Sequence, residues 1–431
     1  MVATAHRIAV VERRAGTLRA RGRARAAALC AVVWAALALF PTAANADAVT
    51  DWNVIAFDTF KAANIAGNPQ VRALAIMHVA MADAVNTVQN RYTRHALKGP
   101  LDPSASAAAA AVEAARAVLT TLAPTQKAKV DAAYATAIAA LPDGAAKTAG
   151  IAIGEHAAAA AIADRADDAT SAPDTYRPVT APGAWIPTTP PIFAEYARAK
   201  PWVFARADQF RPGPPPALTS AAYAREYNET KELGGTKSTR RTAQQTEAVK
   251  FWSQPNLTTV WYESARQLGA AKGLDLADNA RLFALLSMVA ANSFIVDWDA
   301  KFQYNRWRPV TAIRNGDLDG NDATERDPGW TPLNATPMHP EYPSQAAILA
   351  SVASGVFESV FGTGPTPKLV ITDSADSKLT RQFDNFAAIV EETRVVRIWG
   401  GIHFRSALEA SDAMGRQIAS YVLANSMRPV R

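Results

Sequence analysis

After its first 46 residues this chain has no cysteine at all. The single one, Cys30, lies inside an apolar run near the N-terminus. The rest is therefore built without disulfides, thiolate nucleophiles or cysteine-held metals, and is compatible with an oxidising compartment. Strand-forming runs are nearly missing as well; Lys368-Leu-Val-Ile-Thr372 is the best of them, and it is short. Glycine is sparse, 22 of 431 residues, while alanine is abundant, a balance that favours closely packed helices. No H-E-x-x-H metal motif occurs. Surplus positive charge is also absent once position is considered. The formal net charge is +6, but seven of the 45 basic residues and one of the 39 acidic ones fall in the first 46 positions, so the remainder balances to zero. A nucleic-acid partner, which needs a basic face, has no basis in this composition.

What is present begins with an arginine-rich segment over residues 1–25, an uncharged apolar run over 26–40, and small residues ending in Ala44-Asn45-Ala46. This reads as an export signal cleaved after Ala46, placing the mature protein in the periplasm or outside the cell. The apolar run is shorter than the ~20 residues of a spanning helix, so no stable membrane insertion is expected after cleavage. The mature length exceeds one ordinary core.

Helical periodicity covers most of the remainder. Residues 68–90 place Val71, Leu74, His78, Met81, Val85 and Val88 on one stripe. Further helices are expected over 104–122, 125–141, 144–166, 219–233, 239–253, 256–271, 276–307, 344–361, 377–398 and 406–426. The class is all-α, with two helical bundles packed side by side. The expected organisation is a signal over 1–46, an N-terminal helical region over 47–171, an ordered proline-rich connector over 172–217, and a C-terminal bundle over 218–431. A monomer and a homodimer both remain open.

Three short stretches of the C-terminal bundle carry chemistry. Lys301 and Arg308 are seven apart, so on a continuous helix ending before Pro309 their side chains share a face. Ser344 follows Pro343 at a helix start, where exposed backbone N–H groups, that of Gln345 included, can receive an anion. Arg397 and His403 flank Gly400-Gly401, which lets the backbone bend close to a ligand. A basic helix end, a capping serine and a packed histidine are the ordinary alternatives for each taken alone. Two polar segments carry nothing further: Asp317-x-Asp319-x-Asn321 lacks the glycine of a calcium loop, and Gly235-Thr-Lys237-Ser238 lacks the first glycine of a phosphate loop.

Lys301-x6-Arg308-Pro309, Pro343-Ser344 and Arg397-x5-His403 together resemble the signature of the vanadium-dependent haloperoxidase and type 2 phosphatidic acid phosphatase (PAP2) superfamily. The stretches around 77–86, 281–307 and 330–344 look like its secreted bacterial haloperoxidase-like branch. The resemblance implies vanadate as cofactor, with phosphate able to occupy the same site. It implies that Lys301, Arg308, Ser344, the Gln345 amide and Arg397 bind the oxyanion, and that His403 is the axial vanadium ligand. The reaction it implies oxidises halide with hydrogen peroxide to a hypohalous species, with an organic acceptor. In the phosphatase branch the equivalent of His403 is instead the nucleophile and becomes phosphorylated.

The chain departs from the family pattern at two places. The acid–base histidine of the second element is Ala346, and the acid four residues after the third-element histidine is Ala407. Glu409 or Asp412 are candidates to orient His403, and His339 is a candidate acid–base stand-in. The losses weigh more on phosphoester cleavage, which needs a leaving-group proton. The expected function is therefore a vanadate-dependent haloperoxidase-like enzyme. The alternatives are a PAP2-type phosphatase acting through His403 and a catalytically weak oxyanion-binding homologue.

Overall fold

Asp47 starts the folded chain with a reciprocal cap. Its carboxylate accepts from Val49 and Thr50 N–H while the Thr50 hydroxyl receives the Asp47 N–H, opening α1 (Ala48–Ala62), a helix the periodicity had not suggested. The computed structural model describes residues 47–430 apart from 188, 254–256 and 373–378; the expected export signal lies outside them.

α2 (Gly67–Gln89), α3 (Ala107–Leu122), α4 (Lys127–Ala139) and α5 (Ala145–Asp164) follow. The expected stripe of α2 is buried, but so is almost every other residue from Gln70 to Val88, because α3, α5 and a later helix enclose α2. Small residues permit the closest of these approaches. A Cβ on Gly154 of α5 would lie 2.6 Å from the Ala110 carbonyl oxygen of α3.

Between α5 and α6 (Ala221–Gly234) the described residues make two 3-10 turns, Ala194–Arg198 and Ala207–Phe210. Trp185, Tyr196, Trp202 and Phe204 of this stretch are buried. Two short helices, α7 (Ala243–Phe251) and α8 (Leu257–Lys272), lead to α9 (Leu276–Tyr304), which runs through the centre and packs on α2. Leu282, Leu285, Leu286, Val289 and Val296 are all buried on it, each worth about 1.5–3 kcal/mol relative to exposure. α2 and α9 are long and apolar enough to cross a membrane, but both are enclosed by protein.

α9 ends earlier than the sequence suggested. Asn305 adopts a left-handed φ of 46° and closes the helix with its N–H on the Lys301 carbonyl. Arg308 is extended, and Pro309 opens a new helix, α10 (Pro309–Arg314), rather than ending an old one. Lys301 and Arg308 therefore do not share a helical face.

α11 (Gln345–Phe361) precedes a small antiparallel ladder, β1 (Leu369–Thr372) with β2 (Thr380–Phe383). The start of the helix expected over 377–398 is thus partly strand. Asn385 caps α12 (Phe386–Trp399) by accepting from Ala388 N–H, and α13 (Arg405–Asn425) completes the fold. α11 packs against α9, α12 and α13. Among the described residues there are thirteen α-helices and one two-stranded sheet, an all-α architecture.

Candidate functional site

Three chain breaks make the site: the segment after α9, the start of α11, and the turn between α12 and α13. Each owes its shape to local residues. Asn305 turns the chain out of α9. Gly401 has φ +74°, and a Cβ there would lie 2.5 Å from the Gly234 carbonyl oxygen, so only glycine permits this turn against α6.

Arg308 lies at the centre and is 1% exposed. Its Nε donates to the His339 carbonyl at 3.0 Å and its Nη1 to the Ile402 carbonyl at 2.8 Å. Nη1 also lies 3.2 Å from His403 Nε2, and Nη2 lies 3.1 Å from His339 Nδ1. One guanidinium thus joins all of the segments leading into and out of the site.

Lys301 is fully buried and donates to the carbonyls of Pro340 (3.1 Å), Glu341 (3.2 Å) and Pro343. It clamps the loop before α11 and brings a positive charge there. Its other neighbour is Asp297, one turn back on α9 and 3.8 Å away, too far for a hydrogen bond. Both Asp297 oxygens lack a hydrogen-bond partner among the described residues. Burial pushes the Asp297 carboxyl up to about 7, against the pull of Lys301 and Arg308. Burial lowers Lys301 to about 8 and Arg308 and Arg397 to about 10. Arg397 donates to the carbonyls of Thr393 (3.2 Å) and Trp252 (3.1 Å).

Ser344 occupies the cap position of α11, but its hydroxyl does not cap the helix. Its Oγ is buried with no partner among the described residues, while its N–H donates to Ser411 Oγ at 2.8 Å. The first-turn amides of α11, beginning with Gln345, therefore have neither an intrahelical acceptor nor a side-chain cap. The Gln345 side chain donates to Asn68 Oδ1 at 2.9 Å, at the start of α2.

His403 is 4% exposed. Burial first, then the charges of Arg308, Lys301 and Arg397, hold its pKa well below the usual value. Its 2.9 Å contact from Nδ1 to Glu341 Oε1 is therefore a hydrogen bond from a neutral ring, not an ion pair. The same Oε1 receives the Phe404 N–H at 2.9 Å. Burial raises Glu341 to about 7, opposed by the Phe404 N–H and Arg308.

Glu341 is the residue that sequence reasoning missed. Neither Glu409 nor Asp412 is placed on His403: Asp412 accepts from Ser351 at 2.6 Å and from Arg394 and Arg416. The one available signal was a lone carboxylate among prolines and an aromatic, His339-Pro-Glu341-Tyr-Pro343, directly ahead of Ser344. His339 does enter the site, buried against Trp298 with ring centroids 4.9 Å apart.

The cage thus holds three buried cations against two carboxyl groups whose own burial opposes ionisation. Uncompensated buried charge costs several kcal/mol per ion. An anion beside the unpartnered Ser344 hydroxyl and the uncapped start of α11 offsets that cost. The residues present therefore fit a tetrahedral oxyanion such as vanadate.

Residues 281–431 match the VCPO second helical-bundle domain. The vanadium chloroperoxidase of Curvularia inaequalis is 25% identical over 251 residues, 47% of this chain and 40% of that protein; the match thus spans less than half of that relative's length. A bacterial vanadium-dependent iodoperoxidase structure superposes with a TM-score of 0.73 at 23% identity, covering 88% of this chain and 97% of that one. A holo-type bacterial vanadium-dependent chloroperoxidase gives 0.67 at 18% identity, covering 88% and 93%. Residues 281–431 thus match a vanadium chloroperoxidase helical-bundle domain, and the chain as a whole has the fold of the vanadium haloperoxidases.

Proposed function

We propose that the mature protein binds vanadate in this cage and acts as a haloperoxidase, oxidising halide with hydrogen peroxide to a hypohalous species that reacts with an organic acceptor. The observation that carries the reading is the buried, unpartnered Ser344 hydroxyl at an uncapped helix start beside buried cations. Arg308, Arg397, Lys301, Ser344 and the Gln345 amide would hold the oxyanion, and His403 would present Nε2 to vanadium. Bound vanadate supplies Lewis-acid activation of peroxide. The protein's own part is to keep His403 neutral, to fix its lone pair on Nε2 through Glu341, and to exclude water around the charges. The test is bromination of a phenol-type dye by purified protein given bromide and peroxide, with and without orthovanadate. Turnover that depends on vanadate is expected; its absence from a folded, vanadate-binding protein would leave the catalytically weak homologue.

The Glu341–His403 contact also favours a second reading, phosphomonoester hydrolysis. A neutral His403 with its proton on Nδ1 can attack phosphorus through Nε2. The N–P bond forms as the ester P–O bond breaks, the leaving oxygen takes a proton from water, and a second water then hydrolyses the phosphohistidine. Phosphate release from an aryl phosphate, absent in His403→Ala, tests it.

We further propose export with cleavage after Ala46, which would leave Asp47 as the first residue and the cap of α1. N-terminal sequencing of the secreted or periplasmic protein checks this; a start elsewhere rules it out.

A further inference from the structure

A guanidinium carries N–H groups and no lone pair, so Arg308 is the donor in every hydrogen bond it makes. A histidine nitrogen that meets it therefore has to accept. At His403, Arg308 Nη1 approaches Nε2 at 3.2 Å and Glu341 approaches Nδ1 at 2.9 Å. Nε2 accepts and Nδ1 carries the hydrogen. At His339 the arginine meets the opposite nitrogen, with Nη2 3.1 Å from Nδ1.

A second neighbour of His339 Nδ1 points the other way. The Pro340 carbonyl oxygen lies 3.3 Å from it and would need a hydrogen on that nitrogen. Such a hydrogen would face the guanidinium N–H across 3.1 Å, donor against donor. The shorter, charge-assisted contact prevails, so Nδ1 accepts and the hydrogen sits on Nε2. Burial and the charges of Lys301 and Arg308 hold the ring neutral. Its Nε2 has no partner among the described residues.

The two imidazoles flanking Arg308 are therefore of opposite polarity: His403 offers a lone pair, His339 an N–H. We propose that His339, locked by Arg308 as its Nε2–H tautomer, is a fixed hydrogen-bond donor to the bound oxyanion. In this role it would supply a donor that Ala346 cannot, without acting as a proton carrier. A neutral imidazole serves well in this role, since it stabilises negative charge without giving up its hydrogen. The inference rests on the oxyanion reading of the cage.

Two substitutions separate this role from mere support of Arg308. His339→Asn keeps an acceptor near the position of Nδ1 and lacks the distal donor. His339→Gln places an amide N–H near the position of Nε2 and gives up the proximal acceptor. Vanadate binding is measured by calorimetry, with phosphate as a second probe. His339→Asn is expected to weaken binding by about 10-fold or more, the range for a hydrogen bond to a charged group, and His339→Gln to remain near wild type. Wild-type affinity in His339→Asn with loss in His339→Gln would overturn the proposal and leave His339 a prop for Arg308. The wild-type protein supplies a test that needs no variant. Nitrogen-15 spectra of labelled histidine should show His339 with a bare Nδ1 and a protonated Nε2, and the reverse tautomer would overturn the proposal. A wild-type chain that binds neither vanadate nor phosphate would overturn the cage reading itself.

Discussion

His78 and Glu341 show how much a single buried side chain decides. His78 is fully buried on α2, with Nε2 3.0 Å from Asn53 Nδ2. Burial, assisted by Arg266, lowers its pKa to about 3. The unfolded chain takes up a proton below pH ~6.5 while the native protein does not until about 3. Stability is therefore full above pH ~6.5 and falls as the pH drops toward 3, by up to about 1.4 kcal/mol per unit. Chemical denaturation of His78→Gln between pH 4 and 6.5 should show a shallower fall than wild type, and an unchanged slope would refute this assignment. Glu341 makes a different prediction. Glu341→Gln keeps an oxygen for both His403 and Phe404, whereas Glu341→Ala leaves two buried donors unpaired at about 1–3 kcal/mol each. Melting should separate the two, with the alanine variant well below the glutamine variant. Turnover in the alanine variant should fall ~10–100-fold, as for loss of a residue that orients a ligand.

Elements were legible where local periodicity sets them and misread where a single residue overrides it. The apolar pattern of α9 runs on toward Trp307, but Asn305 in a left-handed conformation ends the helix at Tyr304. That one residue moves Arg308 from a helical face to the start of α10, where its side chain points among His339, Ile402 and His403. β2 was read as helix because its four residues run directly into the helical pattern of α12, and only their pairing with β1 makes them a strand. The turn between α12 and α13 rests on Gly401. Gly401→Ala adds both the strain of a left-handed alanine and a collision with the Gly234 carbonyl, together about 2–4 kcal/mol. The expected result is a clearly lower melting temperature and weakened oxyanion binding, because His403 and Ile402 follow directly. A variant that melts like wild type would show that the turn can rearrange.

Across the whole molecule, the buried charges predict a ligand-dependent stability. Three cations sunk in the core oppose folding until an anion joins them, so the anion must bind the native state in preference to the unfolded chain. Orthovanadate or phosphate at about 100 times Kd should add about 2.7 kcal/mol of stability, read as a rise in melting temperature. Arg308→Ala should lose that rise. A wild-type protein whose melting ignores both anions would contradict the cage.

The sequence alone determined the helical class and pointed to Lys301, Arg308, Ser344, Arg397 and His403, though not to Glu341 or Asp297, because helical periods and three short spacings are local properties of the chain. It also exposed the departure at Ala346. Tertiary structure alone decided what those residues do to one another. The carboxylate beside His403 comes from 62 positions away, the anchor of Gln345 from 277 positions away, and Arg308 reaches opposite ring nitrogens of two histidines that share no local pattern. Such pairings arise only when packing brings distant segments into hydrogen-bond range, and no spacing along a single element encodes them.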